Sequence, residues 1–227
     1  MEDYKGRIKE FYTFDGRYTA VVNRCVGSHR YEVTCTTEGG HSFGAFGNNN
    51  AIAKLSELIC ELYAIEVPKK ENTKTTYNVG TIEGGTSVNT IAQSASMLFE
   101  YRSNDADCLA IMEKSFKDLI DRANARGKGT FTAKIVGIRP CGGDVDTELL
   151  DKMTKNVVEI CEKYSGTACS IGSGSTDCNA AMSQGVAAVC AGIYLGGGAH
   201  TREEYVIIDS LPIGMNICRD IMLGYFE

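Results

Sequence analysis

The strongest constraint on this chain is an order of elements between residues 29 and 138: strand, helix, strand, strand, helix, strand. His29 to Glu38 is rich in Tyr, Val and Thr and reads as a strand closed by Gly39-Gly40. Asn48 to Asn50 can cap a helix carrying Ile52, Leu55, Leu58, Ile59, Leu62 and Ile65 three or four apart, with Pro68 closing it. Thr75 to Ile82 is a second strand. Ser94 to Arg102 is a third, in which Ala95, Met97, Phe99 and Tyr101 alternate with Ser94, Ser96, Glu100 and Arg102. A helix starting at Asp105 or Asp107 holds Ile111, Met112, Phe116, Leu119 and Ile120, and Gly127 suits its C-terminal cap. Thr130 to Ile138 is the last strand. This βαββαβ order predicts a ferredoxin-like domain.

The flanks read differently. Residues 7–24 suggest short strands about a turn at Asp15-Gly16. After Pro140-Cys141-Gly142-Gly143 come an amphipathic helix from Thr147 to Tyr164, a short strand into the Gly- and Ser-rich run 172–176, and a short helix from Asp177 to Gln184. A near-continuous apolar strand follows from Val186 to Leu195, then a last helix over roughly 210–226. An apolar run of that kind is the pattern of a strand covered on both faces, so this part reads as an α/β layer. The expected division is 1–24, 25–140 and 141–227.

Composition excludes some functions. The net charge of -6, with no basic stripe, argues against nucleic-acid binding. No apolar stretch is long enough for a membrane span, and Met1 to Lys5 has no secretory h-region. None of the ten cysteines forms a C-x-x-C pair. They read as reduced, mostly buried hydrophobes of a cytoplasmic protein rather than a disulfide framework.

Chemistry has few places to sit. Of the three histidines, His29 lies in a strand and reads as a surface or edge residue. His41, in Gly39-Gly40-His41-Ser42-Phe43-Gly44, sits where glycines let backbone approach a ligand and where an imidazole can donate to a developing oxyanion; alone, the segment is equally a plain turn. His200 follows three glycines after the apolar strand, with Glu203 and Glu204 nearby. A neutral imidazole there suits zinc, although a solvated loop is the default for such a segment. Gly172 to Asp177 can present N–H groups to an anion at a helix start, or be a simple capped turn. Arg102 can fork onto a carboxylate, and a strand Arg is more often in a surface ion pair.

Taken together, these segments resemble the M20 family of metallopeptidases and amidohydrolases. Gly-Gly-His41-Ser42 with Gly47 and Asn50-Ala51-Ile52 is similar to its His-Ser…Asn-Ala-Ile segment. Gly80-Thr81-Ile82-Glu83-Gly84-Gly85 with Val88-Asn89-Thr90-Ile91 resembles Gly-x-Ile-x-Gly-Gly…Asn-x-Ile-Pro. Glu100-Tyr101-Arg102 resembles Asp-x-Arg. Gly174-Ser175-Thr176-Asp177 resembles a Gly-Thr-Ser-Asp turn, and His200 with Glu204 resembles the C-terminal His…Glu. Ala92 replaces the family's Pro, and Glu100 its Asp.

The resemblance spans roughly residues 20–227. It implies a ferredoxin-like lid that dimerises, followed by the C-terminal part of an α/β zinc-peptidase catalytic domain. His41 would polarise the scissile carbonyl in a partner subunit. Asn89 and Arg102 would hold the substrate carboxylate, Gly174, Ser175 and Thr176 would line the substrate pocket, and His200 would bind zinc. Substrates would be peptides or N-acyl amino acids. The intact parent would carry two zinc ions. This chain would carry one weakly or none, because it has no His-x-Asp and no Glu-Glu ahead of the lid. The reading is therefore a hydrolase fragment, inactive alone, working as a homodimer. The alternative is a non-catalytic dimerisation or binding module with the same fold.

Overall fold

The computed structural model describes residues 6–224. Among them the strands are β1 (Glu10–Phe14), β2 (Ala20–Cys25), β3 (Gly27–Thr36), β4 (Gly40–His41), β5 (Thr75–Gly84), β6 (Thr90–Ile91), β7 (Ser94–Ser103), β8 (Thr130–Arg139), β9 (Ser170–Gly174), β10 (Ala187–Ala191), β11 (Gly196–Gly197) and β12 (Tyr205–Val206). The α-helices are α1 (Ala51–Tyr63), α2 (Ala106–Ala125), α3 (Thr147–Ser165), α4 (Cys178–Met182) and α5 (Leu211–Leu223). The chain divides into two compact units: Gly27–Arg139, and the flanking segments up to Val26 and from Pro140 onward.

The inserted unit is an antiparallel sheet in the order β5-β7-β3-β8, with α1 and α2 as its connections, so the βαββαβ reading holds. Its central strands alternate as half-buried strands must. Ala95, Met97, Phe99 and Tyr101 of β7, with Tyr31, Val33 and Cys35 of β3, are buried under the helices. α1 contributes Leu55, Leu58 and Leu62, and α2 contributes Met112, Phe116 and Leu119. The opposite face of the sheet carries Arg30, Glu32, Glu100 and Arg102.

Both helices start on side-chain caps. Asn50 Oδ1 accepts from Ile52 N–H at 2.9 Å, and Asp105 Oδ1 from Cys108 N–H at 2.8 Å. α1 ends at Tyr63 with its cap at Ala64, short of Pro68, so the proline follows the helix rather than closing it.

The flanking unit has a mixed sheet, β1-β10-β2-β9, in which β10 is parallel to β1 and antiparallel to β2. All five residues of β10 are buried. Ala187, Val189 and Ala191 face Val157, Cys161, Ile217 and Ile221 from α3 and α5. Ala188 and Cys190 face Cys25, Cys178 and Met182 on the other side. Small residues are what two packed faces leave room for.

The apolar run is a shorter strand than its sequence predicts. A Cβ at Gly192 would collide with the Arg17 backbone, and Ile193 N–H turns away to Gly16 O at 2.8 Å. The C-terminal helix ends at Leu223, and the last positions of its expected range lie outside the described residues. All ten cysteines are free. Burial pushes the thiols of Cys25, Cys161 and Cys190 up to about 12, which suits packing groups better than reactive ones. No helix among the described residues is long and apolar enough to cross a membrane.

Candidate functional site

His41 sits where the β3 and β7 ladder runs on past its sheet. Thr37 N–H donates to Gln93 O at 2.9 Å, Gly40 pairs with Ile91, and His41 pairs with Thr90. Gly39 and Gly40 both have positive φ. A Cβ on Gly39 would collide with the Gln93 side chain, and one on Gly40 would lie 2.7 Å from Ala45 Cβ. Only glycine satisfies both the backbone and the space.

The imidazole is exposed, and its orientation is set locally. His41 Nδ1 accepts from the N–H groups of Phe43 and Gly44, each at 3.3 Å. An acceptor nitrogen carries no proton, so the neutral ring holds its proton on Nε2 and presents Nε2–H outward as a donor.

Asn89 lies beside it. Ser42 N–H donates to Asn89 O at 3.0 Å, and the Ser87 hydroxyl donates to Asn89 Oδ1 at 2.7 Å. With Oδ1 so engaged, the Nδ2 hydrogens are what Asn89 offers to a ligand. The tip therefore gathers two donors, His41 Nε2–H and Asn89 Nδ2–H, suited to a carbonyl oxygen gaining charge or to a carboxylate.

Arg102 is brought to the other end. It pairs with Ser28 and Thr76, eight residues along β7 from Ser94, roughly 26 Å at about 3.3 Å per residue. Asn89 lies beyond Ser94. One copy of this unit cannot place Asn89 and Arg102 on the same carboxylate. Glu100 holds the arginine: Oε1 accepts from Arg102 Nε at 2.8 Å and Oε2 from Nη2 at 3.0 Å. This bidentate grip uses one edge of the guanidinium and leaves the Nη1–Nη2 edge to a ligand. The longer Glu, in place of the family's Asp, thus reaches its arginine.

In the flanking unit, Gly174 ends β9, and Ser175 and Thr176 lead into α4. One of the N–H groups expected to receive an anion, that of Thr176, is already taken, while among the described residues the buried Ser175 hydroxyl has no partner. Thr176 N–H donates to Asn179 Oδ1 at 2.9 Å, and Cys178 N–H to Thr176 Oγ1 at 3.3 Å. The segment is a self-capped turn. Asn179, which sequence reasoning passed over, is buried, and its Nδ2 donates to Val26 O and Pro140 O at 2.9 Å each. It ties together the points where the chain leaves this unit and returns to it. The only sequence signal was an Asn among the small apolar residues of Cys178–Met182.

His200 stands on the hairpin between β11 and β12, not at the end of the buried strand. It is exposed, with a φ of 66°, a left-handed conformation that His adopts more readily than bulky residues do. Glu204 accepts from the His200 backbone N–H at 3.1 Å, so this carboxylate fixes the loop rather than the ring. A zinc site needs three or four protein ligands. Among the described residues no three His, Cys, Asp or Glu groups come together to hold a metal ion. These residues do not fit a complete zinc site, with His200 at most one ligand.

His29 departs from the surface reading. It lies on a central strand, facing α2, with Nδ1 2.9 Å from Tyr101 Oη and 3.9 Å from a Glu113 carboxylate oxygen. Burial lowers its pKa.

Known proteins give this geometry a context. Residues 25–128 match the family model of the M20 peptidase dimerisation domain. The chain resembles the M20 family. The fold is similar to that of aminopeptidase PepT from Bacillus cereus, at 18% identity over 98% of this chain and 59% of that one, with a TM-score of 0.73. A tripeptidase from Staphylococcus aureus aligns at 18% identity over 91% of this chain and 54% of that one, TM-score 0.69. An amidase of the hydantoinase/carbamoylase family from Burkholderia vietnamiensis aligns at 15% over 95% and 54%, TM-score 0.70. The chain thus spans somewhat more than half the length of these structures. No curated protein sequence matches it.

Proposed function

We propose that this chain is the lid and C-terminal part of an M20-type hydrolase of peptide or N-acyl-amino-acid amide bonds, and that it works as a homodimer. The observation that carries this reading is the separation of donors within one inserted unit. His41 and Asn89 share one tip, while Arg102 sits at the opposite end of the sheet, held with one edge free. A substrate gripped by all three spans two copies. Arg102 of one copy takes the substrate carboxylate. His41 of the other donates from Nε2–H to the carbonyl oxygen as charge develops there, and Asn89 donates beside it. By the family resemblance, Gly174, Ser175 and Thr176 are read as substrate-lining residues and His200 as one metal ligand. Because its sequence has no His-x-Asp and no Glu-Glu ahead of the inserted unit, our reading is that the 227-residue chain alone does not hydrolyse amides.

The second copy has a natural seat. Along α1, Ile52, Ser56, Ile59 and Tyr63 form a stripe without charge beside the edge strand β5. Ile52 lies against Gly84 and Gly85, and the Tyr63 hydroxyl accepts from Val79 N–H at 3.2 Å. A helix flank and an open strand edge together form a self-complementary surface.

Complementation tests the shared site. His41→Ala and Arg102→Met chains are each expected to bind an N-acyl amino acid poorly. Mixed, they form heterodimers in which one site keeps both groups, and binding returns to part of the unmutated level. Mixing without recovery refutes the shared site, and chelator-sensitive hydrolysis by the unmutated chain refutes its inactivity.

A further inference from the structure

The face of the inserted sheet away from the helices is unevenly charged. Strand register places Thr76, Arg102, Ser28 and Arg139 in one row, and Asn78, Glu100, Arg30 and Gly137 in the next. Three guanidiniums therefore meet one carboxylate, an excess of two positive charges on a chain whose net charge is -6. Glu32, one row further on, does not compensate them, because it pairs with Lys134 at 4.0 Å.

Glu100 Oε2, which already accepts from Arg102, also accepts from Arg30 Nε at 3.3 Å. The Arg30 side chain lies over Gly137, where even an added Cβ would sit in ordinary contact, 3.6 Å from Arg30 Cδ. One carboxylate thus holds Arg102 by Nε and Nη2 and Arg30 by Nε, and leaves the Nη1–Nη2 edges of both to a ligand. Beside them lies a cavity of ≈310 Å³ lined by Arg30, Asn78, Thr81, Leu98, Glu100 and Val136. It sits between two irregularities in the strands, at Val79/Thr81 and at Arg30/Tyr31.

We propose that Arg30 is a specificity residue that selects substrates with a second carboxylate, such as those ending in an aspartyl or glutamyl residue. This rests on the reading of Arg102 as the holder of the first carboxylate. Arg30 and Arg102 are diagonal neighbours on adjacent strands, with Cα atoms about 7–8 Å apart. Their long side chains converge on one Glu, a separation that a short dicarboxylate spans. The cavity takes the methylenes of the acidic side chain against Leu98 and Val136, and Asn78 adds a polar contact.

Calorimetric titration of the 227-residue chain with N-acetylglutamate and its near-isostere N-acetylglutamine tests this, since the two ligands differ by one charge. N-acetylglutamate binds about fivefold more tightly, the scale of one solvent-exposed ion pair. Arg30→Met makes the two ligands equal without weakening N-acetylglutamine, Arg30→Lys keeps part of the preference, and Arg102→Met weakens both. Equal binding by the unmutated chain, or a preference that survives Arg30→Met, overturns the proposal and leaves the role of Arg102 standing. Failure of both ligands to bind overturns the two together. Arg30 is partly exposed, and an unchanged melting temperature in Arg30→Met confirms that the fold is intact.

Discussion

The inserted unit contains two versions of one device, a helix laid beside an edge strand, and their surfaces differ. The α1 flank beside β5 presents Ile52, Ser56, Ile59 and Tyr63. α2 presents Glu113, Lys117 and Asp121, with Lys117 Nζ on Glu113 and Glu113 near His29. Beneath, the contrast reverses. α1 packs with Ala51 and three leucines, whereas α2 places Phe116 among rings, with centroids 4.6 Å from Tyr31 and 5.1 Å from Phe99. The α2 half is built to stand in water over a dense core. The α1 half is simpler inside, and the stripe along its β5 flank is uncharged, which suits the self-association proposed for it.

The largest effect is expected where the α2 core is densest. Phe116→Ala removes a fully buried ring and leaves a void among three others, a loss of about 3–5 kcal/mol. Chemical denaturation read by tyrosine fluorescence measures it, and a loss under about 1 kcal/mol would show that the aromatic cluster collapses easily. Next is the surface. Ser56→Arg places an unpaired charge in the middle of the uncharged stripe and weakens self-association by about a hundredfold. The matching change on the other half, Asp121→Arg, leaves it unaltered. Sedimentation equilibrium on both variants decides which half carries the interface, and the opposite ranking moves it to the β8 side.

Local signals made most of the inserted unit legible. The alternation in Ser94 to Arg102 and the Asn50 cap each act within a few residues, and each formed the expected element, whereas Gly39-Gly40, expected to end a strand, lead into the paired strand Gly40–His41. What could not be read came from distance along the chain. The periodicity of Val186 to Leu195 promises a long strand, but Gly192 must bend where the Arg17 backbone crosses it. The N–H of Thr176 looks free until Asn179 folds back onto it. The family resemblance implies that His41 reaches a partner subunit, but the distance of His41 and Asn89 from Arg102 within one unit is fixed by strand register and does not show in sequence spacing.

The smallest effect separates the two halves by acidity. Only the α2 half has a histidine in its packing, and burial holds the His29 pKa below its ordinary 6.5. The unfolded chain then binds a proton at a pH where the folded one does not, so folding stability rises with pH across that interval. The contribution is complete above about 6.5 and falls away as pH drops below it, until the folded His29 also titrates. The carboxylates that share this half, Glu113 and Asp105, have pKa values lowered by their partners, so they act only in more acidic solution. His29→Gln keeps a polar group near Tyr101 Oη and removes the titration, which flattens the stability profile just below about pH 6.5. If the slope there persists in His29→Gln, the pH response belongs to some other group, and the acid sensitivity no longer distinguishes the α2 half from the α1 half.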